Sequence, residues 1–156
     1  MKQKLEDIAL VRSGYPFRKS VEAIDNGWVR AIQIKDVSKD GVDWNSVAHT
    51  ELPGGMPTYW LESGDMLFMS RGKNNYTVPL RNVAEGATIC TSHFFYIKIE
   101  TENIISDFLN IQLNTKPLQE YFTKHAKGAG KKHIPRDVLK SVEIVMMLPL
   151  NALLAN

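Results

Sequence analysis

A single cysteine, Cys90, excludes both an internal disulfide and a multi-cysteine zinc site. Long hydrophobic runs are missing too: Met66 to Met69 and Ile144 to Leu150 fall far short of the ~20 apolar residues that a bilayer-crossing helix needs. The opening stretch, Met1 to Asp7, carries charge but no apolar core, so it predicts no secretory signal. Together these absences predict a soluble, cytoplasmic protein with no membrane partner. Neither sign of charge dominates, since 19 Lys+Arg against 17 Asp+Glu leave a formal +2. No internal repeat, low-complexity tract or Pro/Gly/Ser-rich linker interrupts the chain. What remains is 156 residues, 44% hydrophobic and 23% charged, the composition of one globular domain. A chain of this size buries roughly 70% of its unfolded surface and needs no metal or disulfide to hold a core.

The charge is unevenly spread. Between residues 116 and 140 lie Lys116, Lys124, Lys127, Lys131, Lys132, Arg136 and Lys140 against only Glu120 and Asp137. A positive patch on a near-neutral body is one footprint of a polyanion partner; a solvated helix face is the other reading of the same residues.

The first two thirds read as strands and turns. Lys4 to Ala9 is a short helical stretch that runs into extended Leu10-Val11-Arg12, and Pro16 fixes a corner after Gly14. Trp28 to Ile34 alternates as a half-buried strand, and Asp36 to Gly41 reads as a turn. Pro53, Gly54, Gly55 and Pro57 make an irregular loop. Met66 to Ser70 suits a fully buried strand, Arg71 to Tyr76 a polar loop, and Thr77 to Val83 and Ala87 to Ile99 further strands. Helical spacing then takes over in Ile105 to Leu113 and Leu118 to Ala126, with Pro117 opening the second helix and Gly128 and Gly130 closing it. Pro135 to Lys140 reads as a short helix and Val142 to Met147 as a closing strand. The fold class is α+β: a mainly antiparallel twisted sheet or partial barrel in the first two thirds, with helices in the C-terminal third.

No constellation for catalysis emerges. His49, His93, His125 and His133 share no metal-ligand spacing and read as ordinary surface or half-buried residues. Cys90 lies inside an apolar strand, where a thiol behaves as a small hydrophobe. Glu62 and Asp65 flank Gly64 and are better explained as turn chemistry. Gly128-Ala129-Gly130 is half a phosphate loop without the strand and spacing of a nucleotide motif. No cofactor and no metal are expected.

Recognition chemistry has more support. Arg71, Lys73, Asn74, Asn75 and Tyr76 combine two cations, two amides and an aromatic directly after a buried strand. Arg reads guanine and Asn reads adenine bidentately, while Lys and Tyr suit phosphate. The plainer reading is a hairpin loop in which Asn-Asn tolerates left-handed dihedrals. Lys127, Lys131 and Lys132 form a second basic element and Arg18-Lys19 a third, with Gln33 and Lys35 at a strand end as further contributors. The binding hypothesis requires these cationic turns to converge on one side of the molecule.

The order of motifs resembles a target recognition domain of type I restriction–modification specificity subunits. Leu5 to Ala9, Ser13 to Phe17 and Ile32 to Val37 are similar to the start of such a domain. Leu61 to Gly72 is similar to its Gly-Asp strand and Ser-Arg-Arg-Gly loop, although only Arg71 stands where the family has two arginines. Phe108 to Leu113, Asn114-Thr115, Ala126 to Gly130, Ile134-Pro135 and Leu139 follow in the family's order, so the resemblance covers residues 4 to 149. It implies a non-catalytic reader of double-stranded DNA sequence that directs methylation and cleavage by modification and restriction subunits. Residues 1–150 are then the recognition domain and residues 151–156 the truncated start of the family's helical spacer. Family members carry two such domains and this chain one, so a homodimer would mimic the pair. Two other readings stay open: a protein-interaction module on the same fold, and a nucleic-acid-processing enzyme whose carboxylates converge only in space.

Overall fold

The computed structural model describes residues 1–147. The chain opens with β1 (Lys2–Lys4), α1 (Leu5–Ile8) and β2 (Ala9–Ser13), and continues through β3 (Val29–Ile32), a 3-10 turn at Ile34–Asp36, β4 (Val37–Ser38), β5 (Gly41–Val42) and β6 (Ala48–Thr50). β7 (Met66–Met69), β8 (Thr77–Pro79), β9 (Thr88–Cys90) and β10 (Phe94–Ile99) follow. α2 (Ser106–Leu113), α3 (Lys116–His125), α4 (Arg136–Lys140) and β11 (Glu143–Val145) complete the described chain. The fold is α+β with mostly antiparallel strands, which divide among four small sheets. No described helix is long and apolar enough to cross a membrane. The tail assigned to residues 151–156 lies outside the described residues.

A four-stranded antiparallel sheet, in the order β2-β10-β7-β8, forms the centre. Its strand β7 is buried at every position because the sheet is covered on both faces. Met66 and Phe68 point with Phe95 and Ile97 into a core closed by Leu109, Leu113, Phe122 and Leu139 of the helices. Leu67 and Met69 point the other way, against Ile32, Val78, Leu80 and Cys90. A continuous apolar run is therefore still a period-two strand, with a separate core for each side. Phe68 anchors the helical side, edge-to-face with Phe122 at 5.0 Å. The second sheet, β6-β3-β9, contains the one parallel pairing among the described strands, β3 with β9. β1 and β11 pair antiparallel, which brings the two ends of the described chain together.

Three sequence expectations change in detail. The strand expected from Trp28 to Ile34 stops at Ile32, because the Asp36 carboxylate accepts from the Gln33 amide at 2.8 Å and winds the next residues into a 3-10 turn. The turn expected over Asp36 to Gly41 is a small hairpin, β4 pairing with β5. α3 ends at His125 and is capped by Ala126 in extended conformation, so Gly128 and Gly130 do not close it. Gly128 works three residues later: it has φ +115°, and a Cβ there would lie 2.6 Å from the Lys131 carbonyl oxygen. The glycine lets the following basic loop fold back on itself.

Candidate nucleic-acid interface

The loop from Ser70 to Asn75 leaves the buried end of β7 and is closed at its base by the Met69 amide donating to the Tyr76 carbonyl at 3.0 Å. Asn75 is buried, and its side-chain amide donates to the Met69 carbonyl at 2.9 Å. Gln119 of α3 donates to the Asn75 carbonyl, also at 2.9 Å. The Tyr76 ring packs into the core on the far side of the central sheet from the helices, with its hydroxyl 3.3 Å from the Val37 carbonyl. Two of the five finger residues picked out from sequence, Asn75 and Tyr76, thus act as struts at its base, although both still border the groove. Arg71, Lys73 and Asn74 remain exposed at the tip. Replacing Asn75 with leucine removes the strut and strands the buried Met69 carbonyl. The expected result is a loss of about 1–3 kcal/mol in chemical denaturation, with faster amide exchange at Gly72 and Lys73.

The second basic loop is held against this finger by the backbone alone. Gly72 donates to the Lys132 carbonyl at 3.0 Å, and Ile134 donates to the Ser70 carbonyl at 2.7 Å. Lys127 and His133 exchange both of their backbone bonds at 2.9 Å, which closes the Lys127–His133 loop. Neither approach depends on a side-chain contact, so the cationic side chains stay unspent. No hydrogen bond or ion pair among the described residues engages the side chains of Arg71, Lys73, Lys127, Lys131 or Lys132. Other cations are committed: Lys98 to Asp65, Arg81 to Asp107, and Arg30 to Thr88 and the Ala84 carbonyl.

Finger and basic loop together wall an open groove of about 1230 Å³. Arg71, Lys73, Lys131 and Lys132 line it, and no carboxylate does among the described residues. In a chain with nearly equal numbers of acids and bases, an acid-free groove concentrates positive potential where both loops meet. His93, read from sequence as an ordinary histidine, also lines the groove. Partial desolvation, and after it the charges of Arg71 and Lys131, push its imidazole below the ordinary value of 6.5. Nothing in its sequence neighbourhood announces this, since it follows from the turn between β9 and β10 reaching the root of the finger.

The remaining assigned residues lie elsewhere or are engaged. Arg18 and Lys19 are exposed but line separate clefts beside Pro16 and Gly54, sharing no wall with the groove. Convergence therefore holds for two cationic turns and not for the third. Gln33 is half-buried, and the Lys35 ammonium is held by Asp36 at 2.9 Å and the Ser46 carbonyl at 2.8 Å. Ile34 between them does reach the groove. Cys90 is buried and its thiol is pushed up to about 12 by burial, which leaves no thiolate for nucleophilic chemistry.

No family model matches the sequence, and no curated protein matches it. Among solved structures, the chain is similar to the type I restriction–modification system S subunit from M. genitalium, with a TM-score of 0.57 and 14% identity. The likeness is one of fold. It covers 94% of this chain and 34% of that subunit, so this chain spans about a third of the subunit's length. The S-subunit-like fold puts the acid-free groove at the end of a rigid sheet, with its finger braced from α3 and its second wall set by backbone pairing. Such an arrangement presents the exposed amide of Asn74 and loose cationic side chains together on a braced loop, the kinds of group that suit base edges and phosphates respectively.

Proposed function

We propose that this chain is a sequence-specific reader of double-stranded DNA, corresponding to one target recognition domain of a type I restriction–modification specificity subunit. Residues 1–150 form that domain. It carries no chemistry of its own and directs methylation and cleavage by modification and restriction subunits. Arg71 and Asn74 at the finger tip read base edges, and Lys73, Lys127, Lys131 and Lys132 hold phosphates. Arg18 and Lys19, outside the groove, contact the backbone of a flanking segment. A second copy of the chain would read the other half of a split site.

The single observation that carries this reading is the groove between two loops joined by backbone hydrogen bonds, lined by four unspent cations and, among the described residues, no acid. A surface built only to display solvated charge has no need to brace its cations from a buried amide and a neighbouring helix. The fold shared with an S subunit supports the same reading.

Selection of the purified chain against a random duplex pool tests it. The expected outcome is enrichment of a half-site of a few base pairs, with binding that weakens steeply as salt is raised. Salt-insensitive binding without enrichment would instead mark a protein-interaction module, and cleavage dependent on a divalent ion would mark an enzyme.

A further inference from the structure

His93 sits where the two basic loops meet. Its carbonyl accepts from both the Ser70 amide at 3.2 Å and the Ser70 hydroxyl at 2.8 Å, which fixes it at the root of the finger. Its Nδ1 lies 3.3 Å from the Thr91 hydroxyl, an orienting contact that leaves Nε2 without a partner among the described residues. The charged and titratable groups around it in the groove are Arg71, Lys73 and Tyr76 from the finger and Lys131, Lys132 and His133 from the second loop. No carboxylate is among them.

An exposed imidazole ringed by cations is an unfavourable place for a further positive charge and a favourable place for an anion. Resting on the DNA-binding reading, we propose that His93 is a further phosphate ligand, gripping through Nε2 the same backbone phosphate as Lys131, and that it does so as the imidazolium. A phosphate lying between the two groups reverses the local balance: its charge favours the imidazolium, which desolvation first and the neighbouring cations second disfavour in the free chain. Binding then takes up a proton. Affinity rises as pH falls through the imidazole range, which lysine and arginine contacts cannot produce, because both stay charged throughout.

The test is a fluorescence anisotropy titration of the full chain with duplex DNA at fixed ionic strength between pH 5.5 and 8. Wild type is expected to bind about fivefold more tightly at pH 6 than at pH 7.5. His93→Gln should bind with a flat pH profile and match wild type at pH 8, whereas His133→Gln should keep the wild-type slope. The His93 C2 proton, followed by NMR, should titrate below 6.5 in the free chain and move upward when duplex is added. A sloped profile surviving in His93→Gln, or an imidazole whose titration ignores DNA, overturns the proposal while leaving DNA reading intact. A chain that shows no salt-sensitive binding at any pH overturns both.

Discussion

Replacing Lys98 with methionine is expected to lower folding stability by about 3–5 kcal/mol, the cost of removing one partner from a buried ion pair. The Lys98 ammonium donates to Asp65 Oδ2 at 2.6 Å and to the Trp60 carbonyl at 3.1 Å, and the two side chains are only 16% and 10% exposed. Asp65 Oδ2 also accepts from the Glu62 amide at 2.8 Å, so the pair ties the turn before β7 to the neighbouring strand β10. Methionine keeps most of the stem's packing and removes only the charge. Asp65 then faces its burial with one backbone amide for compensation.

The pH dependence separates this cause from lost packing. Burial already raises Asp65 above 3.8, with Lys98 opposing the rise. A carboxyl raised in the folded state binds more protons there than in the unfolded chain. Its contribution to stability is therefore fully present below 3.8 and is lost as pH climbs through the raised value. Removing Lys98 lifts that value further and widens the window. The gap between the urea midpoints of variant and wild type should accordingly be larger at pH 7 than at pH 5, and Asp65→Asn added to Lys98→Met should recover part of it. An equal gap at both pH values would place the loss in packing alone.

Much of this arrangement can be read from residue patterns, and the exceptions have a common cause. Met66 to Met69 reads as a buried strand because a sheet covered on both faces leaves no polar alternation to misread, whereas the helical spacing of Ile105 to Leu113 gives the helix but not its buried face, since Leu109 and Leu113 are buried while Ile105 and Ile111 stay exposed. The loop Arg71 to Asn75 is equally visible as a polar break after a strand. What the pattern cannot convey is direction. Asn74 and Asn75 are the same residue type in the same loop, yet one stays in solvent and the other is buried, because only Asn75 comes within reach of the Met69 carbonyl. Pairing between distant chain segments is hidden for the same reason. The bonds from Gly72 to Lys132 and from Ile134 to Ser70 use backbone atoms that every residue carries, so no side chain advertises them. Lys35 and Arg18 failed as groove residues on the same ground: charge is legible in the sequence, but whether an acid such as Asp36 already holds it, or which cleft it faces, depends on the fold.

The distinction between committed and unspent cations predicts two separable effects on DNA. Arg71→Ala removes a planar fork of donors from the finger tip and should cost about 1–3 kcal/mol of discrimination at one base pair of the preferred site, with little effect on random duplex. Neutralising Lys131 and Lys132 together, both to glutamine, should weaken binding on every sequence alike and reduce the slope of log K against log salt by about two units. The Ile134 and Gly72 bonds to this region are made by backbone, so the substitutions leave the groove standing. Lys35→Met supplies the contrast. Its ammonium already belongs to Asp36 and Ser46, and its loss should leave the salt slope where it was. If all three variants shifted the slope equally, net charge rather than the groove would govern binding. If Arg71→Ala weakened all duplexes without changing site preference, Arg71 would be a phosphate contact, and base reading would pass to the exposed amide of Asn74 beside it.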